Sequence, residues 1–210
     1  MLKGNHETMF LDWINECRAL ERRRVPDDYF FDHQWLISDS DCDLMVFKTL
    51  VGQWEYDFFT QISRTASSLT LNKEAARLIL SKNKELVSWM GGFQLYYETD
   101  KQIFVHAGVD EEAGEYWKTG TSDEMFLWKY PAVKGSFCKT IIAGHVSTAR
   151  IAGDRGFHDI FYDGLSHYYI DGTVSASGRI PLLMIDTDED KYYQVTEEGK
   201  REIKTGFEIY

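Results

Sequence analysis

The apolar positions change their period part of the way along the chain. From Glu7 to about Leu20, Met9, Phe10, Trp13, Ile14, Cys17 and Leu20 recur at helical spacing, which predicts one buried helix face. Glu21-Arg22-Arg23-Arg24 closes this stretch with cations, which suit the negative end of a helix dipole, and Pro26 resists continuation. A second helical stretch is predicted over 41–64, with Leu44, Phe47, Leu50, Val51, Trp54 and Phe58 on one side. A third is predicted over 72–90, from Asn72 as N-cap to Gly91-Gly92 as the stop. After that the pattern becomes one of strands. Segments 93–98 and 102–107 flank Thr99-Asp100-Lys101, and 140–143, 166–174, 182–186 and 191–195 follow, set off by Gly and Asp turns. The chain therefore reads as mainly helical over 7–90 and mainly stranded over 93–195, an α+β order of elements within a single domain spanning 1–210.

Composition narrows the function classes. The hydrophobic share of 43%, with 13 Phe, 12 Tyr and 6 Trp, is ample material for a packed core. A net charge of -11 argues against nucleic-acid or anionic-membrane binding, where a basic surface supplies the affinity. It leaves a small phosphorylated substrate open, because a bound metal can dominate the local field. The three cysteines, Cys17, Cys42 and Cys138, are odd in number, far apart and form no C-x-x-C pair, so they read as reduced thiols. No apolar run approaches the roughly 20 residues that cross a bilayer. Met1-Leu2-Lys3-Gly4 opens no signal-peptide core. The expectation is a soluble, cytoplasmic protein.

Three short segments carry candidate chemistry: Gly4-Asn5-His6-Glu7, Val105-His106-Ala107-Gly108 and Ala143-Gly144-His145-Val146. In the second and third, an apolar strand ends in a histidine beside a glycine. A strand end is a rigid mount for an imidazole, and the glycine lets backbone or ligand come close. The first segment sets an amide and an imidazole just before a helix, whose N-terminal end favours anions.

In this order the segments resemble those of the calcineurin-like metallophosphoesterases. Within them they are similar to the bacterial and phage serine/threonine protein phosphatases and the symmetrical dinucleoside tetraphosphatases. The matching pieces are LKGNHE at 2–7, IFVHAGVD at 103–110, IIAGHV at 141–146 and YIDGTVSASGRIPLLMID at 169–186. The resemblance implies an α/β fold, a β-sandwich flanked by helices, and metal-dependent phosphoester hydrolysis by a bridging hydroxide between two divalent ions. It implies that Asn5, His106 and His145 are ligands of the second metal, and that His6 is the general acid with Glu7 in support. Mn is the implied cofactor, with Fe or Zn as alternatives for such nitrogen and amide donors. The implied substrate is a phosphorylated protein or small phosphoester, with dinucleoside polyphosphate as the alternative.

The departures shape the expectation equally. The family's GDxHG and GDxxDRG segments, which supply the first metal's ligands, the bridging carboxylate and a phosphate-binding Arg, do not precede Gly4. The expectation is thus an N-terminally incomplete domain lacking its first strands, with little turnover of its own. Such a chain would form a homo-oligomer through the surface so uncovered. The contrasting reading is a non-catalytic remnant that binds at most one metal. Gly153-Asp154-Arg155-Gly156 lies after His145 and reads as an ordinary loop. Where related bacterial enzymes carry an Arg after a Leu-Trp pair, Leu127-Trp128 is followed by Lys129-Tyr130, so Lys129 is assigned to substrate binding as a point cation. His33, His158 and His167 match no ligand position and read as structural, and Asp110 and Asp171-Gly172 read as turns.

Overall fold

The computed structural model describes residues 1–26, 29 and 41–203, with backbone alone over 41–44. His33 and the Cys42 side chain lie outside the described residues. The chain divides into two compact units: residues 6–93, and residues 1–5 together with those from Gln94 onward. The boundary falls where the hydrophobic period changes.

The helical unit contains α1 (Asn5–Arg23, whose first residue belongs to the other unit), α2 (Asp41–Val51), α3 (Gln53–Ile62) and α4 (Ser68–Gly91). The predicted stripe of α1 is the buried one except for Met9, which is exposed. Phe10, Trp13, Ile14, Cys17 and Leu20 pack with Phe47, Val51, Phe59, Leu69, Ala75, Ala76, Leu78 and Ile79. Each buried Leu, Ile, Val or Phe among them contributes about 1.5–3 kcal/mol.

Two helix boundaries differ from the sequence reading. The single stretch expected over 41–64 breaks at Gly52, whose φ of 94° favours glycine, so α3 starts afresh at Gln53. The apolar period runs on across the break and hides it. The third helix starts four residues before Asn72, because Ser67 is the cap and its Oγ accepts from Thr70 N. Asn72 is instead fully buried inside α4. Its Oδ1 accepts from Trp13 Nε1 at 2.7 Å and its Nδ2 donates to Ser68 O at 2.8 Å. Further along α4, Lys82 Nζ and Asn83 Nδ2 donate to Val51 O and Leu50 O, satisfying carbonyls at the end of α2 that no helical N–H reaches.

The other unit holds two sheets. The larger contains β1 (Tyr96–Glu98), β2 (Gln102–Val105), β3 (Thr140–Ala143), β4 (Phe161–Tyr162) and β5 (His167–Tyr169) in the order β1-β2-β3-β5-β4. Strands β2, β3 and β5 are parallel, with β1 and β4 antiparallel at the edges. The smaller is an antiparallel meander of β6 (Leu182–Asp186), β7 (Lys191–Thr196) and β8 (Gly199–Glu202).

Alternation along the strands buries both faces of the larger sheet. Ile103, Val105, Ile141, Ala143 and Tyr169 pack with Val109, Trp117 and Phe126. Phe104, Ile142 and Tyr168 pack with Tyr192, Leu183 and Ile185 of the smaller sheet. Trp117 and Phe126 come from α5 (Trp117–Gly120) and α6 (Asp123–Trp128), so this unit layers short helices, sheet and sheet. The result is a mixed α/β fold with two sheets, in agreement with the coarse expectation. Two short helices complete it, α7 (Thr148–Ala152) and α8 (Val174–Ser177).

The strand predicted over 166–174 stops at Tyr169, because Asp171 Oδ1 accepts from Thr173 N and turns the chain. Strand β8 is not predicted by periodicity, because its four exposed residues, Gly-Lys-Arg-Glu, carry no alternation. Among the described residues, no helix is long and apolar enough to cross a membrane.

Candidate functional site

Strands β2 and β3 are parallel neighbours with Val105 opposite Ala143, so their C-terminal ends lie side by side. His106 follows the first and Gly144-His145 the second. Such carboxyl ends are where open α/β sheets place ligands. Gly144 N donates to His106 O at 2.8 Å, which extends the ladder one bond beyond the strands. A Cβ on Gly144 would stand 3.6 Å from His106 O, an ordinary contact, so the close approach expected there is not what requires glycine. Gly108 has the tighter surroundings: a Cβ would lie 2.5 Å from Lys129 Cδ.

The imidazoles of His106 and His145 meet with ring centroids 5.1 Å apart. His145 holds a left-handed φ of 62°, and Val146 N donates to Gly144 O at 2.6 Å across it. A three-residue turn of this hand is rare, and strain of about 1–3 kcal/mol persists only where surrounding structure enforces it. Here it is enforced on both sides. Strand β3 leads in, and Ser147 leads out as the cap of α7, its Oγ accepting from Arg150 N.

Asn5 completes the group. Leu2 bridges in parallel to Gln94, and Lys3 N donates to Gln94 O at 2.8 Å, which fastens the first residues to the start of the β1 hairpin. Asn5 is then 5% exposed, with Oδ1 at 2.8 Å from His106 Nε2. The three residues expected to converge therefore do so. His6 is the second residue of α1, exposed, and belongs to the helical unit, as does Glu7.

The Asn5–His106 spacing fits either a hydrogen bond or two donors on one cation, since donors about 2.1 Å from a metal at right angles lie about 3 Å apart. The donor set is an amide and two imidazoles, which suits a transition-metal dication. Among the described residues, no cluster of three or more His, Cys, Asp or Glu is arranged to hold a metal. The trio thus brings no carboxylate to balance a dication's charge.

Around this centre the structure adds groups to which the sequence assigns no role. The indole of Trp128 stands edge-on to the His145 ring at 6.1 Å. Two residues on, Tyr130 accepts a hydrogen bond from Arg150 Nη1 at 3.3 Å and lies 5.6 Å beneath the guanidinium. Arg150 was legible as the only cation in the segment after Gly144-His145 that α7 takes up, but its meeting with Tyr130 was not.

Lys129, between the two aromatics, turns the other way. Its ammonium pairs with Glu111 and donates to Val109 O at 2.5 Å, tying down the loop that begins at His106. Burial pushes the Glu111 carboxyl up, but hydrogen bonds from His167 and Lys129 outweigh it and hold it below its ordinary value. His167 is 1% exposed, with Nδ1 at 3.0 Å from Asp163 Oδ2. Burial likewise raises Asp163, and N–H donors from Gly135, His167 and Leu165 prevail to lower it. His167 is therefore a packed structural residue, as expected. Asp110 accepts from Glu112 N as a turn residue. Gly153 to Gly156 form a loop after α7, closed by Gly156 N donating to Asp154 Oδ1.

Compared with protein-family models, with curated proteins and with solved structures, the chain returns no match.

Proposed function

We propose that the chain is a phosphoester-directed protein of the calcineurin-like metallophosphoesterase kind, with Asn5, His106 and His145 as ligands of one divalent ion, Mn foremost and Fe or Zn as alternatives. The observation that carries this reading is their convergence at the ends of two adjacent parallel strands, with Asn5 Oδ1 2.8 Å from His106 Nε2 and the two imidazoles 5.1 Å apart. The enforced left-handed turn at His145 supports it, since such strain gathers at functional sites. A bound ion would supply Lewis acidity and a bound water of lowered pKa. The chain's own part is to hold two imidazoles and an amide rigidly. Lys129 pins the loop from His106 through Val109 O and Glu111, so on this reading its part is to position that loop.

On this reading His6, next in the chain to Asn5, is the general acid, and the substrate is a phosphorylated protein or a small phosphoester, dinucleoside polyphosphates included. A second reading is a non-hydrolytic binder of metal and anion. It is favoured by the neutrality of the donor set and the lack of a metal-holding acidic cluster among the described residues. The deciding experiment is Mn2+ retention on equilibrium dialysis, followed by hydrolysis of a chromogenic phosphoester. His106→Ala and His145→Ala are expected to lose Mn2+ binding, and His6→Ala to lose turnover while retaining the ion. Unchanged Mn2+ binding in the two ligand variants would sink both readings, and Mn2+ binding without turnover would select the second.

A further inference from the structure

Most lysines of the stranded unit already have acidic partners: Lys118 and Lys139 share Glu98, Lys101 pairs with Asp190, Lys129 with Glu111 and Lys191 with Glu189. Arg150 makes no ion pair among the described residues. Its one side-chain hydrogen bond goes to a neutral phenol, Tyr130 Oη. A guanidinium carries five N–H donors, so most of its fork remains for a ligand. Among the described residues Lys134 and Lys200 also lie over rings, Phe161 and Tyr193, without an ion pair, but neither of those rings belongs to the segment that meets His145.

The setting of Arg150 points to what that ligand is. The Trp128 indole meets His145, and Tyr130, two residues along the chain, carries the guanidinium over its ring. Trp128 is 42% exposed and Tyr130 is 61% exposed, so both rings offer apolar area to a guest. Lys129 between them is extended, with φ -52° and ψ 122°, and its charge is already engaged with Glu111. Of the cations described beside Trp128, Arg150 is thus the one without an acidic partner, in a chain whose net charge of -11 would otherwise repel an anion. Guanidinium recognises phosphate through paired N–H donors, and aromatic rings prefer offset or edge contacts with another ring.

We propose that Arg150, Trp128 and Tyr130 form a recognition rim for phosphate esters whose organic group carries an aromatic ring. Arg150 takes the phosphoryl oxygens and the two side-chain rings take the aromatic group. This rests on the reading of the His106–His145 centre as a phosphoester site and deepens it by naming the substrate class.

The test is a 31P NMR titration of the full chain without added metal, using phenyl phosphate and methyl phosphate. Phenyl phosphate is expected to bind about 3-fold or more tightly, the contribution of one aromatic pair. Arg150→Gln should weaken both ligands by about 10-fold, the loss of a charge-assisted hydrogen bond. Arg155→Gln makes the same change of net charge on an exposed loop and should leave both unchanged. Trp128→Leu should erase the preference for the phenyl ester. The proposal is overturned if the wild type binds neither ester or does not prefer phenyl phosphate. It is equally overturned if Arg150→Gln binds as wild type, or if Arg155→Gln weakens binding to the same degree. The two readings fail separately. Loss of Mn2+ binding with the Arg150 dependence intact would remove the metal site and leave the rim, whereas Mn2+ binding with no Arg150 dependence would do the reverse.

Discussion

Replacing Asp163 with Asn changes two atoms' chemistry at nearly constant shape, in a side chain 1% exposed. The carboxylate accepts from Leu165 N at 2.8 Å and His167 N at 3.0 Å through Oδ1, and from Gly135 N at 2.8 Å through Oδ2. Its Oδ2 also lies 3.0 Å from His167 Nδ1. An amide has one acceptor oxygen. If that oxygen keeps the Leu165 and His167 bonds, the NH2 group faces the Gly135 N–H donor-to-donor. An unsatisfied buried donor costs about 1–3 kcal/mol, and the retained bonds fall from charge-assisted to neutral strength, for a total of about 3 kcal/mol. For a chain of this size that is a fall in melting temperature of about 6–12 °C.

The pH dependence has a definite sign. Asp163 and Glu111 both have lowered folded-state pKa values, so the stability they contribute is present above the ordinary carboxylate pKa and is lost as pH falls through the folded values. Scanning calorimetry from pH 7 down to pH 3 should show a large gap between wild type and Asp163→Asn that narrows on acidification. A variant melting within about 1 °C of wild type at pH 7, or a gap that widens in acid, would refute the reasoning; both follow from the per-kcal scaling and the linkage sign.

Two further outcomes test the packing. Gly172→Ala would put a Cβ 2.6 Å from His158 O and 2.6 Å from Pro181 Cγ, neither of which can swing aside, so denaturant unfolding should show a loss of about 1–3 kcal/mol. An unchanged midpoint would mean that the turn relaxes at no cost. Burial, with Glu16 adding to it, pushes the Cys17 thiol up to about 12, while Cys138 is exposed. In a Cys42→Ser background one thiol should therefore react quickly with a thiol reagent and the second only on unfolding. Equal rates would contradict the burial of Cys17.

The α1 stripe was legible, Met9 apart, because amphipathic periodicity is local: Phe10, Trp13, Ile14, Cys17 and Leu20 are buried for a reason written within four residues of each. Strands β2 and β3 were legible as short apolar runs, and their polar ends flagged His106 and His145. The break at Gly52 and the true cap at Ser67 were missed because hydrophobic period says nothing of φ, and Asn72 was a rival cap with the right chemistry. Its real partner, Trp13, is 59 positions away in sequence.

By itself the sequence determined the switch from helical to stranded character near Gly91-Gly92 and the three histidine- and asparagine-bearing segments that deserve chemical scrutiny. Only the tertiary structure decided that Asn5 reaches His106 across 101 positions, because that contact depends on β1 pairing with β2 and on the Leu2–Gln94 bridge beside it. It alone decided the fates of the two cations near Trp128. Lys129 turns to Glu111, whose carboxylate is half-buried and needs a counter-charge, while Arg150 is left on Tyr130 with no acid in reach among the described residues. A one-dimensional pattern records which residues prefer burial. Which buried charge finds which partner is set by the register and crossing of elements far apart in the chain.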